Sequence, residues 1–156
     1  MTVDYSTLTT SAIRALTTAQ MAGISTSDLA QWTPTQISSL TGALVAAMET
    51  SQLVALNDTG VQAFSATQIK ALRTDQLSAL ETVNIAAWTT AQIASLTSIQ
   101  IAALTTAHLQ ALTSNDLQAL SATQFKSLTT EQMASLDPSD VAVFATKQLT
   151  GISSEQ

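Results

Sequence analysis

The sequence predicts an all-α fold: a solenoid or superhelix of very short helices, one per eight-residue repeat, around a continuous apolar core. Three observations carry this. An octad runs without slipping from Met1 to Gln156, making nineteen full repeats and a terminal half, Ser153 to Gln156. Positions five and eight of all nineteen full octads are large and apolar or aromatic. Most octads also open on a helix-start signal. The array 1–156 reads as one domain with no visible linker.

Position one comes first in each repeat. It is Ser or Thr in thirteen of twenty cases, and position four is Gln in eleven and Asp in four. Ser/Thr followed three residues later by Gln is a capping box. The hydroxyl accepts the backbone N–H of the third helical residue, and the Gln side chain reaches back to the cap's own N–H. Position eight precedes the next cap and position five is the fourth residue of the new helix, which is the spacing of a hydrophobic staple. Positions two to seven are therefore expected to be helical, with a bend around positions eight and one.

The remaining positions agree. Pro34 and Pro138 both fall at position two, the first helical residue, where a missing N–H costs least. All eleven acidic residues lie at positions one to four, and Arg14, Lys70 and Lys126 lie at position six. Acid early and base late complements the helix dipole. Arg73 and Lys147 break this rule. Position seven is Ala, Ser or Gly in sixteen of nineteen octads, small enough for neighbouring backbones to approach closely. Octads 41–48 and 57–64 carry Leu44 and Gly60 in the Gln slot and are expected to be local adjustments, such as a bend.

Competing folds fail on geometry. In one continuous helix an eight-residue period would carry the apolar stripe round by about 80° per repeat, against about 20° for heptads. Apolar spacings of three and five do not alternate as a strand requires. Helices of six residues are not stable alone, since even about 12–15 residues is marginal in water. They must be held by packing of positions five and eight against neighbouring octads, each buried Leu or Ile contributing roughly 1.5–3 kcal/mol before entropy is subtracted.

Composition and motifs narrow the function. Five Lys plus Arg against eleven Asp plus Glu offers no basic footprint for nucleic acid. With no Cys and one His, a transition-metal site has few ligands to draw on. His108 occupies position four and reads as a substituted capping residue. Asp28 or Asp116 could pair across stacked octads as a weak Ca²⁺ ladder, but dipole-complementing caps explain them more simply. Trp32 and Trp88 lie on core position eight rather than on a sugar-stacking surface. The position-one threonines are already explained as caps, which weakens an ice-binding reading. Apolar runs reach only about five residues against the ~20 of a membrane span, and MTVDYSTLTT lacks the basic and apolar regions of a cleavable signal peptide. No catalytic, cofactor-binding or metal-binding residue is proposed.

TTAQIASL at 89–96 and TTEQMASL at 129–136 closely resemble the Thr/Gln-rich TTxQIxAL-type octapeptide repeats of large secreted or surface bacterial proteins, often described as haem-utilisation or adhesion repeat proteins. The resemblance spans the whole chain. It implies a bacterial surface or extracellular protein that uses the array as a stalk, spacer or scaffold, and it brings no catalytic residues with it.

The expected function is thus a non-enzymatic structural repeat protein. Three alternatives stand beside it: a filament subunit that self-associates head to tail through exposed solenoid ends, a peptide- or glycan-binding adhesin module, and, less favoured, an ice-binding surface. Circular dichroism should show a helix-dominated spectrum despite the threonine content, and a strand-dominated one would contradict the architecture. Thermal hysteresis of the pure protein would distinguish the ice-binding alternative.

Overall fold

A computed structural model describes residues 5–56, 58–142, 144 and 146–149. Asn57, Ile152, Glu155 and the terminal half-octad 153–156 lie outside the described residues. The described residues contain eighteen short helices and no strand. The chain divides into two compact units, Met1–Glu81 and Thr82–Gln156, and the octad register runs through the boundary unchanged.

The first unit contains α1 (Thr10–Arg14), α2 (Thr18–Ala22), α3 (Thr26–Leu29), α4 (Pro34–Ser38), α5 (Gly42–Ala47), α6 (Thr50–Val54), α7 (Asp58–Gln62), α8 (Ala66–Ala71) and α9 (Thr74–Ser78). The second contains α10 (Thr82–Ala86), α11 (Thr90–Ala94), α12 (Ser98–Ala103), α13 (Thr106–Gln110), α14 (Ser114–Ala119), α15 (Ala122–Lys126), α16 (Thr130–Ala134), α17 (Pro138–Ala142) and α18 (Thr146–Leu149). Every helix starts at octad position two, and none runs past position seven. Pro34 and Pro138 are the first residues of α4 and α17, where proline's absent N–H has no helical partner to lose.

Most described octads close by the same backbone bonds. The N–H of position five reaches the carbonyl of position one, as in Ile13 to Thr9 at 2.9 Å. The N–H of position eight then folds back on the carbonyl of position five, as in Leu16 to Ile13 at 3.1 Å. This second bond has the tighter 3₁₀ spacing common at helix ends, and it turns the chain out of the helix. Residues 41–48 are no bend. They form a six-residue helix ending on an extended Met48, as α8 ends on Leu72, α12 on Leu104 and α14 on Leu120. Leu44 fits there because the Gln slot is buried.

Within each unit the helices pack on those three along: α1 on α4, α2 on α5 and α5 on α8 in the first, α10 on α13, α11 on α14 and α12 on α15 in the second. Three octads therefore make one turn of coil. Positions five and eight supply the core. Ile13, Met21, Leu29, Ile37 and Val45 are fully enclosed at position five, as are Ile93, Ile101, Leu109 and Leu117. Trp32 and Trp88 are buried as position eight requires, and Phe125 meets Phe144 edge to face with ring centroids 4.5 Å apart. The small residues allow close approach between turns: a Cβ built on Gly42 would lie 3.1 Å from the Cβ of Ala71, the position-seven residue of α8.

Leu104 is 4% exposed, so Leu104→Asp places an unpaired charge in the core. The cost should exceed the roughly 2–5 kcal/mol of a buried leucine truncated to alanine. Thermal melting should fall accordingly, and wild-type melting would contradict the core placement.

Candidate functional site: a buried glutamine ladder

The side chains that recur in one chemical role are those of position four. Twelve Ser and Thr N-caps accept a backbone hydrogen bond as the capping motif requires, for example Thr17 from Gln20 N–H at 3.2 Å. The glutamines answer through Oε1. Gln20, Gln36, Gln52, Gln68, Gln76, Gln92, Gln124 and Gln132 accept the cap N–H at 2.7–2.8 Å. Where position one is Glu49 or Arg73 the cap makes no side-chain bond, and the glutamine half of the motif persists alone. A guanidinium has no acceptor to give.

Capping occupies only one end of the amide. In at least seven octads among the described residues the Nε2 group donates to backbone carbonyls 28–31 residues earlier, four octads back. Gln52 donates to Met21 at 2.9 Å and Ile24 at 2.7 Å. Gln76 donates to Val45 at 2.9 Å and Met48 at 2.7 Å. Gln36 reaches Leu8, Gln68 reaches Ile37 and Leu40, Gln124 reaches Leu96, Gln132 reaches Ile101 and Leu104, and Gln148 reaches Leu117 and Leu120. The acceptors are octad positions five, six and eight, the carbonyls at a helix's C-terminal end. These are among the groups that a helix leaves without an internal partner.

One side chain thus satisfies the N-terminal donor of its own helix and the C-terminal acceptors of a helix on the turn below. The position-five carbonyl already accepts the N–H of position eight; its second lone pair takes the amide. Burial makes this consequential. Gln76 is wholly enclosed, and a buried amide left unpaired costs about 1–3 kcal/mol. Among the described residues no buried side-chain nitrogen or oxygen lacks a partner.

The substituted positions show which part of the amide each residue can imitate. His108 is buried and accepts the Thr105 N–H through Nδ1 at 3.3 Å. Asp116 is buried and accepts the Thr113 N–H at 3.0 Å and its hydroxyl at 2.6 Å, both through Oδ2. Both sequence-flagged residues are therefore caps. Arg73, the exception to the charge rule, has its own role. Its guanidinium donates to the carbonyls of Ala46 and Met48 at the end of α5 and pairs with Asp75 at 2.9 Å. The hydrogen bond from Arg73 holds the Asp75 carboxyl below its usual range. Trp32 similarly gives its indole N–H to the carbonyl of Tyr5 at 2.9 Å.

The capping half of this arrangement follows from octad spacing, but the bridging half does not. A signal for it exists in the composition. Glutamate serves a capping box as well as glutamine does, yet all four glutamates lie at positions one or three and none at position four. A carboxylate would keep the cap and lose the donor.

A cleft of about 340 Å³ between α13 and α16 is lined by Thr105, Thr106, Thr129, Glu131 and Gln132, with Ala102 and Leu104, and no aromatic ring faces it. Among the described residues, no group of three or more His, Cys, Asp or Glu side chains is placed to hold a metal ion, and no helix is long and apolar enough to cross a membrane.

Three tandem matches to the ALTTAQ repeat family, over residues 45–82, 74–106 and 106–138, cover more than half of the chain. The protein belongs to the ALTTAQ repeat family. Comparison with curated proteins gives no match.

Two glutamates-for-glutamine test the ladder against simple capping. Gln20 is exposed and only caps, so Gln20→Glu should change stability by no more than about 0.5 kcal/mol. Gln76→Glu keeps the cap but turns a buried carboxylate toward two carbonyls, and should cost about 3–5 kcal/mol. Denaturant melts compare the two directly. Protonation would restore a donor, so the Gln76→Glu deficit should shrink as pH falls through the carboxyl range. Equal effects of the two substitutions would leave the bridge without energetic weight.

Proposed function

We propose that this protein is a non-enzymatic structural repeat protein, an extracellular scaffold, stalk or spacer of a bacterial surface or secreted protein. The tandem repeat and its helical coils are the foundation of this reading. The observation that carries it is the use made of the polar side chains. Those best suited to chemistry are occupied in holding the backbone: the position-four amides bridge coils, His108 and Asp116 cap their own helices, and Arg73 closes the end of α5. A coil built this way converts added sequence into added length, since each turn contacts only its neighbours. The surface setting rests on the resemblance of the octads, on the acidic balance with scarce lysine and on the absence of cysteine.

The spacer role makes a quantitative demand. Inserting three TTAQIASL octads between Leu96 and Thr97 should lengthen the maximum dimension seen by small-angle scattering by one fixed step. Inserting six should give two such steps, with helical content per residue unchanged. A maximum dimension that does not grow with inserted octads would refute a spacer. Protease accessibility on intact producing cells tests the extracellular setting separately.

A further inference from the structure

Within each unit the adhesion between turns is of one kind and one reach. The helices in closest contact lie three apart in order, as with α2 on α5, α5 on α8 and α11 on α14. Hydrogen bonds between turns cover a similar interval: 25 residues from Gln110 to Ser135, 27 from Trp32 to Tyr5 and 31 from Gln52 to Met21. A turn is three octads of eight, or 24 residues, so each of these contacts joins a turn to its neighbour. The core follows the same rule. Buried side chains recur at positions five and eight along the chain, from Ile13 and Ile24 to Phe125 and Leu128, rather than gathering round one centre. The stability of such an array is close to a sum over its turns and the junctions between them.

Tension acts on this arrangement in a particular way. The backbone runs from turn to turn as one strand, so a pull along the chain loads the junction nearest the point of attachment. Peeling that turn uncovers its neighbour and leaves the next junction packed. We propose that the array is a force buffer that lengthens one turn at a time, releasing 24 residues per step while the remaining turns keep their fold. The resistance to each step is local. At Gln76 it is the pair of amide bonds to Val45 and Met48, with the Arg73 guanidinium on Ala46 and Met48 beside them. The released octads are too short to stay helical alone, but each keeps its own start signal, as in Thr89 with Gln92. Relaxation therefore re-forms them against the turn still in place. The inference goes beyond the spacer reading, and its failure would leave that reading standing, because an array that ruptures all at once can still scale in length with its repeats.

The test stretches the full chain between two handles in optical tweezers. The sequence has no cysteine, so Ala19→Cys and Ser139→Cys give unique attachment points. Both residues are exposed, both stand at octad position three, and they lie 120 residues apart. Circular dichroism confirms that the doubly substituted chain is folded. On extension, the first releases should each add the contour of 24 residues, about 80 Å of extended chain, and relaxation should recover them in the same steps. Gln76→Glu in the same chain should lower the force of one step and leave the others unchanged. The step length is read without this variant, so the measurement stands even if Gln76→Glu does not fold. A first release that spans a whole unit at once, from Ala19 to Glu81 or from Thr82 to Ser139, would overturn the proposal. So would smooth extension without steps, steps of a single octad, or a Gln76→Glu effect spread equally over all steps.

Discussion

The structure depends on what happens to a carbonyl at the end of a helix too short to dispose of it. A helix of five or six residues has as many unsatisfied terminal groups as a long one, and far fewer internal bonds to set against them. Each octad ends this way, and the chain's core is made of these ends. Stacking such helices would bury carbonyls without partners unless every turn supplied a donor to the turn beneath. The position-four glutamine is that donor, and its length is what lets it serve its own N-cap and a distant C-terminus together. Apolar packing at positions five and eight gives the coil its cohesion, and the amide makes that packing compatible with a buried backbone.

This division of labour explains the variation along the array. Leu44 fills the position-four slot of its octad with apolar contact instead of an amide. Arg73 acts in addition to an amide, reinforcing the end of α5 from position one beside the bonds already made by Gln76. Trp32 reaches the backbone at Tyr5 with its ring nitrogen while Gln36 reaches Leu8. Arg73 looks anomalous as a residue near a helix N-terminus and becomes ordinary once it is seen to lie over another helix's C-terminus, where a cation is favoured.

The local part of the fold was legible in the octad because caps, staples and proline placement act within one repeat. Helix starts at position two, the closed core at positions five and eight, and the capping roles of His108 and Asp116 all follow from short-range rules. The winding of three octads per turn does not, since every octad presents the same pattern to every other, and periodicity alone says nothing about which one lies three or four along. The second role of Gln76 was hidden for the same reason: its acceptors are 28 and 31 residues away. Octad 41–48 misled through composition. Leu44 in the Gln slot suggests a local adjustment, but an apolar residue fits a slot that is already buried, and Gly42 beside it accommodates the Ala71 methyl of the turn above.

Uniform pairing has an evolutionary corollary. If eight residues were deleted from the middle of the array, each glutamine in the four octads that follow would meet the corner of the adjacent repeat, which offers carbonyls in the same arrangement. The amides would be re-paired and none stranded. Genes of this kind can gain or lose repeats by unequal recombination in steps of a single octad, without waiting for whole turns. Contacts made by individual side chains do not transfer in this way: Gly42 lies against Ala71 and Trp32 bonds to Tyr5, and a one-octad shift between the partners would separate either pair.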